Sequence, residues 1–408
     1  MNSRVGISAS SITRSALPTT VVWDPAMTAY DFGPGHPMAP RRLELTARLA
    51  KALGLFDHSH VAVEAPAVAT DVELLTVHSR EYIQAVRRVG ADPSRPDDAR
   101  GLGTEDDPAF SGMHEASARL AGGSLLAAES VLSGRSVRAV NFSGGMHHAA
   151  RGKASGFCVY NDVAIAIQRL LDGGVQRVVC IDVDAHHGDG TQGIFWDDPR
   201  VMTVSLHESG LTLFPGTGFA NETGGPNAVG TAVNVALPAF TGDAAWLRAF
   251  HAVVPQLVAA FAPEVIVSQH GCDSHRLDPL THLNLSVDCQ REAAAAVAGL
   301  AARYCENRWI ATGGGGYEVT GVVPRAWSHL IGMVAQRPVP LSKPVPEEWR
   351  SYVKETYGEP TPALMGDDVD IWWRSWEVGY DPADEVDRAV IATRKQIFPL
   401  YGLDPWFD

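Results

Sequence analysis

Five cysteines in 408 residues, Cys158, Cys180, Cys272, Cys289 and Cys305, are an odd number and include no Cys-x-x-Cys pair. That argues against a disulfide framework and a zinc ribbon, and a reduced, cytoplasmic setting is expected. Positive charge is also short: 33 Lys and Arg against 47 Asp and Glu give a net charge of −14. A nucleic-acid binder needs a basic stripe to neutralise phosphates, so nucleic acid is not an expected partner. An acidic surface suits basic, lysine-bearing partners. No apolar run is long enough to cross a membrane, so none is expected to be bound. A phosphate-cradling loop is missing too. The run "GGGGY" (313–317) has no Lys-Ser/Thr after it and no G-x-G-x-x-G spacing.

Hydrophobic residues make up 45% of the chain, enough for a large core, and no internal repeat occurs. The expected strands are "TVVWD" (20–24), "RAVNF" (138–142), "RVVCIDVD" (177–184), "VMTVSLH" (201–207), "EVIVSQH" (264–270) and "RWIATG" (308–313). The expected helices are 41–53, 114–133, 161–171, 244–261 and 289–304. Near-continuous apolar strands separated by helices predict an α/β fold, with a mostly parallel central sheet flanked by helices on both faces. Residues 1–19, rich in Ser and Thr, read as a disordered leader. The Pro-rich segment 337–349 has the composition of a linker. Trp349, Trp372, Trp373, Trp376 and Trp406 nevertheless predict a tail that packs on the body. Residues 20–408 are read as one domain.

Four strands end in polar clusters: "SGGMHH" after 142, "DVDAHHGD" from 182, "QHGCD" from 269 and "GGGGY" from 313. Ligands of open α/β sheets bind outside the carboxyl ends of strands, so the four clusters are expected to converge. Asp184 and His186, at i and i+2, would point to one side of a strand and grip a metal. Asp273 ends another strand and completes two carboxylates plus one imidazole. Three protein ligands with open positions suit a catalytic zinc, and iron or cobalt accept the same donors. A binuclear site would need further bridging acids. Arginase-type ureohydrolases carry D-A-H-x-D, whereas this chain has Gly188 at the last ligand position and His275 two residues after Asp273.

His147 and His148 follow Gly144–Gly145, which permit an irregular loop where both imidazoles can act together. Asp182 and Asp189 are available to orient them, giving the pairs His147–Asp182 and His148–Asp189. The four glycines at 313–316 allow close backbone approach and can swing Tyr317 over a metal, where a phenol would donate to a developing oxyanion.

Together these residues resemble the arginase-like, zinc-dependent histone deacetylase family, and most of all its bacterial acetoin-utilisation-type members. The resemblance runs from about residue 20 to about 335. It rests on "GPGHPMAPRRL" (33–43), "SGGMHHA" (143–149), "SGFCVYND" (155–162), "DVDAHHGDGTQ" (182–192), "VSLH" (204–207), "FPGTG" (214–218), "GCD" (271–273), "DPL" (278–280) and "GGGGY". It implies that Asp184, His186 and Asp273 hold zinc, with iron(II) an alternative. It makes His147 and His148 the general base and acid, in an order left open, with Asp182 and Asp189 behind them. Tyr317 would polarise the acyl carbonyl. Phe157, Phe214, Gly156 and Leu280 would line an acyl-lysine tunnel. Asp106, flanked by Glu105 and Asp107, would grip the substrate backbone at the rim, and Arg42 would stand in a cavity behind the metal. A structural potassium would lie at Asp182, Asp184, His186, Ser205 and Leu206. Asp198 and Thr231 replace the family's usual residues at a second monovalent site.

The implied reaction is hydrolysis of an Nε-acetyl-lysine amide of a protein, releasing acetate, with a metabolic enzyme such as an acetyl-CoA synthetase as the analogous substrate. Two alternatives stay open. An acetylpolyamine amidohydrolase would tend to place a Glu where Leu280 stands, and a non-catalytic acyl-binding scaffold would have lost a ligand, a histidine or the tyrosine. The "SHRL" stretch (274–277) is bulkier and more basic than the family's usual residues. It places His275 and Arg276 to narrow the rim or read an acidic flank.

Overall fold

A computed structural model describes residues 16–408. Its sheet contains β1 (Thr19–Val22), β2 (Val61–Glu64), β3 (Arg138–Asn141), β4 (Val178–Asp182), β5 (Val201–Glu208), β6 (Ala232–Leu237), β7 (Val265–Gln269) and β8 (Trp309–Thr312). All of their pairings are parallel, in the order β2-β1-β3-β8-β7-β4-β5-β6. The two strands that the sequence did not announce, β2 and β6, are the two edges.

Alternation splits the strand residues between two cores. Val179 and Ile181 of β4 join Trp246, Phe250 and Trp327 on one face. Val178 and Cys180 join Tyr82, Leu120 and Ile165 on the other. Helices Arg41–Ala52, Asp243–Phe261, Val287–Tyr304 and Val323–Val334 cover the first face, and Arg80–Ala91, Met113–Leu132 and Asp162–Asp172 the second. Asn161 and Ser286 cap two of these helices through side chains that accept from Ala164 N and Cys289 N.

The strand order positions the site. After β3 the chain skips two places to β4, builds outward to β6, then returns to insert β7 and β8. The carboxyl ends of β3, β8, β7 and β4 are therefore neighbours, and the four polar clusters follow those four ends. β4 stops at Asp182, so Asp184 and His186 lie on the loop beyond it. The i, i+2 strand argument for that pair does not apply. The loop instead folds back on itself, with His186 N donating to Asp184 Oδ1 at 2.9 Å.

The leader expected at 1–19 falls outside the described residues up to residue 15. From there the chain leads into β1, and the Leu17 backbone exchanges hydrogen bonds with the Gln336 amide. By length and composition the 19-residue helix Asp243–Phe261 could cross a membrane, contrary to the expectation of no such run. In this fold it is a core helix, with Trp246, Phe250, Val254 and Leu257 buried. In the tail, Trp349 is buried and donates to Leu45 O, Trp376 lies between Arg248 and Arg394, and Trp373 stacks on His251. Trp372 remains exposed.

Candidate active site

Asp184, His186 and Asp273 come together as a buried group whose donor atoms all lie within 4.8 Å of one another. His186 Nδ1 stands 2.8 Å from Asp273 Oδ2 and 3.2 Å from Asp184 Oδ1. Backbone and amide donors hold the two acids: Gly315 N reaches Asp184 Oδ2 at 2.9 Å, Gln269 Nε2 the same oxygen at 2.7 Å, and Ala185 N reaches Asp273 Oδ1 at 2.9 Å. Among the described residues, no Lys or Arg pairs with either carboxylate. Burial works against charge on His186, yet Asp273 and Asp184 raise it to about 10. Burial, together with the neighbouring Asp184, raises Asp273. Two enclosed acids with no Lys or Arg against them, among the described residues, thus face one imidazole nitrogen. Two carboxylate oxygens and an imidazole nitrogen are the donors that a divalent metal of the zinc or iron type accepts. The residues fit such an ion.

The tandem histidines lie beside this group. Asp162, wholly buried, accepts from Gly145 N and Met146 N at 3.0 and 2.8 Å and so shapes the turn that delivers them. Asn161 Nδ2 donates to the carbonyls of His147 and Ala149. His147 Nδ1 meets Asp182 Oδ2 at 2.7 Å, and His148 Nδ1 meets Asp189 Oδ1 at 2.7 Å. The two Nε2 atoms are 3.1 Å apart. Their environments push them in opposite directions. Against burial, Asp182 and Asp184 raise His147 to about 9. Burial and then the neighbouring His147 lower His148 to about 4. Such a split lets one group hold a proton while the other accepts one.

Tyr317 sits half-buried, its phenol raised well above the ordinary range by burial and then by Asp273 and Asp184. It therefore stays a neutral O–H donor. Asp278 accepts from the Tyr317 amide at 2.8 Å and from the Leu280 amide at 3.0 Å, tying the tyrosine to the 278–280 turn. Phe157 stands edge-on to Tyr317 at 5.7 Å, and Phe214 edge-on to His148 at 5.0 Å. Gly156 has φ +55, and a Cβ there would come 2.5 Å from the His148 ring, so this wall closes only on glycine. Arg42 is buried behind Tyr317 and donates to the carbonyls of Gly314 and Gly316, while its Nε has no partner among the described residues. At the rim Asp106 is exposed, and its carbonyl accepts from His36, whose ring packs on Phe157. Its neighbour Asp107 is buried, and that burial lifts its carboxyl to about 8.

A sequence profile of the histone deacetylase domain matches residues 36–334. The chain belongs to the histone deacetylase family. The acetoin utilization protein AcuC of Bacillus subtilis (strain 168) is 40% identical over 380 residues, covering 92% of this chain and 97% of that protein. AcuC of Staphylococcus xylosus is 41% identical over 334 residues, 81% of this chain and 86% of that protein. The family is one of deacetylating hydrolases.

With the family established, some sequence expectations need revision and some residues were missed. His275 is not at the rim. Its side chain is fully buried, with Nε2 on Asp367 at 2.8 Å. Arg276, by contrast, is exposed and leans toward the same Asp367 at 3.5 Å. Of the residues expected to hold potassium, Asp182 and Ser205 are register partners on β4 and β5, Leu206 follows Ser205 on β5, Asp184 and His186 lie on the loop after β4, and Ser205 Oγ bonds His207 Nδ1 at 2.7 Å. Gln269, Asp278 and Asp162 had no role assigned from sequence. All three stood in quoted motifs, but each also binds a partner elsewhere in the chain: Gln269 donates to Asp184, Asp278 accepts from the Tyr317 amide, and Asp162 accepts from the Gly145 and Met146 amides. Asp367 had no signal at all.

Proposed function

We propose that the protein hydrolyses the acetyl amide of Nε-acetyl-lysine in proteins, releasing acetate and the free lysine amine. The observation that carries this reading is the convergence of two imidazole–carboxylate pairs and a neutral tyrosine on one buried three-donor group. A divalent cation held by Asp184, His186 and Asp273, zinc or iron(II), would supply Lewis-acid polarisation of the acyl oxygen and acidify the attacking water. The His147–Asp182 and His148–Asp189 pairs manage the protons. One imidazole takes the water's proton as the C–O bond forms, and the pair returns a proton to the amine nitrogen as the C–N bond breaks. Tyr317 donates a hydrogen bond from its neutral hydroxyl to the developing oxyanion. Phe157, Phe214, Gly156 and Leu280 enclose the apolar lysine stem and exclude water. Asp106 accepts from the substrate backbone at the rim, and Arg42 faces the departing acetate. Carbonyls around Asp182, Asp184, His186, Ser205 and Leu206 would hold a potassium ion. The setting is cytoplasmic, consistent with five unpaired, buried cysteines. A metabolic enzyme such as an acetyl-CoA synthetase is the substrate that family analogy suggests.

The test is a matched assay of the metal-analysed protein on acetyl-lysine peptides and on acetylputrescine, with and without chelator. Peptide turnover lost to chelator and restored by zinc or iron(II) is expected. Insensitivity to chelator would remove the metal, and a clear preference for acetylputrescine would replace lysine by a polyamine.

A further inference from the structure

One buried acid near the mouth of the site takes no part in the reaction above. Glu208 ends β5 with a fully enclosed side chain, and among the described residues it pairs with no Lys or Arg. Its oxygens accept from Thr212 Oγ1 at 2.9 Å, from the His282 amide at 2.8 Å and from His282 Nδ1 at 2.9 Å. Enclosing a carboxylate is costly unless its lone pairs are satisfied, and three donors do that here. The arrangement ties together loops 209–218 and 274–286. The loop after β6 joins them through Phe240, whose amide donates to His282 O at 2.8 Å and whose ring stands 5.9 Å from the imidazole.

Glu208 thereby fixes one imidazole in one tautomer. With its Nδ1–H directed at the carboxylate, His282 presents the Nε2 lone pair outward. The His282 side chain is 50% exposed, and Nε2 has no partner among the described residues. Its position places it at the mouth. His282 lies two residues past Leu280, and Thr281 between them donates to the carbonyl of the metal-group residue Asp273. Thr212 lies two residues before Phe214, which packs on His148 and His186. Phe240 is 74% exposed and held at φ +66, a conformation that a bulky aromatic residue rarely adopts. Leu211 and Leu277, on the two tied loops, are exposed as well. A strained, outward aromatic ring beside a tautomer-locked imidazole is a built surface continuous with the tunnel wall.

We propose that Glu208, His282 and Phe240 form a subsite for the peptide flanking the acyl-lysine. His282 Nε2 accepts a substrate backbone N–H, Phe240 receives an apolar neighbouring side chain, and Glu208 acts through His282 as a positioning residue. The inference rests on the deacylase reading of the site.

The test compares acetyl-lysine peptides with a flanking Leu, Asp or Lys, and an unflanked acetyl-lysine amide, on wild type and on His282→Asn, Phe240→Ala and Glu208→Gln. Asparagine keeps an N–H donor for Glu208 but has no atom where Nε2 stands, and Phe240 is on the surface, so both variants should fold even if Glu208→Gln does not. Wild type should favour the Leu-flanked peptide over the unflanked amide. His282→Asn and Phe240→Ala should each cut that preference about tenfold, through KM rather than kcat. Equal KM for all four substrates in wild type overturns the subsite, as does a KM rise of the same size on the unflanked amide. Anisotropy of a labelled Leu-flanked peptide reads binding without turnover. Loss of that binding preference in both variants supports the subsite and its persistence overturns it, while absence of hydrolysis on every substrate separately refutes the deacylase reading.

Discussion

Asp367 lies beyond the stretch matched by the family profile, yet it reaches the loop that carries Asp273. Its Oδ2 accepts from His275 Nε2 at 2.8 Å and from the Val287 amide at 3.0 Å, and its Oδ1 forms an ion pair with Arg325 Nη1 at 2.9 Å. Arg325 is buried, so Asp367→Ala strands an enclosed guanidinium. Breaking a buried ion pair from one side costs about 3–5 kcal/mol. Arg325 keeps the carbonyls of Gly321 and Gly366 as acceptors, which points to the lower end, about 3 kcal/mol. Asp367→Asn loses the charge and keeps only one acceptor oxygen, its NH2 facing either Arg325 or the His275 and Val287 donors. Since charge-assisted hydrogen bonds are worth about 1.5–3 kcal/mol against about 0.5–1.5 for neutral ones, it should cost at least about 1–2 kcal/mol. The pH dependence has a definite sign. Burial resists the charge of Asp367, but His275 and Arg325 outweigh it and hold the carboxyl below its ordinary value. The unfolded chain titrates at about 4. The stability from this group is therefore complete above that pH and is lost as the pH falls toward the folded value. Thermal midpoints of wild type and both variants, at about pH 7 and about pH 3, measure it. Midpoints are compared because a chain this long need not unfold in two states. The gap seen near neutrality should narrow in acid. Equal midpoints near neutrality, or a gap that widens in acid, would refute the ion-pair argument.

Two predictions concern the site itself. Tyr317→Phe removes one hydroxyl while the ring keeps its contacts with Phe157 and Arg42, so kcat on an acetyl-lysine peptide should fall about 10²- to 10³-fold with an unchanged melting curve. Gly188→Ala places a Cβ 2.4 Å from Asp182 Oδ2 and should lower kcat about 10- to 100-fold while metal content, read by elemental analysis, stays at one ion per chain.

What the sequence made legible follows from range along the chain. Buried strands announce themselves as apolar runs, and the polar letters after them announce a site, because both signals are local. β2 escaped because none of its four residues is buried, two being half-buried and two exposed, as suits an edge. β6 is buried, but Asn234 breaks its apolar run and Gly230 and Thr231 precede it. Asp184 and His186 were paired for a strand periodicity that the chain abandons at Asp182, so two residues that the fold does bring together were paired through a geometry it does not use. His275 looked like a rim residue because nothing near it in sequence could satisfy it. Its partner Asp367 is 92 positions away. Glu208 and His282 are 74 positions apart, and neither suggests the other until β5 and the loop after β7 are side by side.

Gly188 shows how far sterics sharpen a motif argument. From the letters alone, glycine at the last position of D-A-H-H-G is a missing ligand, and the site loses a second metal for want of a carboxylate. In the fold that position is not vacant. A Cβ at 188 would come 2.4 Å from Asp182 Oδ2 and 3.1 Å from His147 Nδ1. The space that a further carboxylate would need is filled by the His147–Asp182 pair. One volume can hold a ligand for a second cation or a proton-handling pair, but not both, so the want of a second-cation ligand and the presence of the His147–Asp182 pair are the same steric choice. The other glycines follow the same rule. A Cβ at Gly271 would lie 1.8 Å from Asp184 Oδ2, and one at Gly315 would lie 2.1 Å from Asp273 Oδ2. Backbone that close can donate its N–H, as Gly315 does to Asp184. Buried acids are costly unless donors surround them. "GGGGY" thus does more than aim Tyr317: its glycines let the main chain close on the carboxylates that the site must keep out of water.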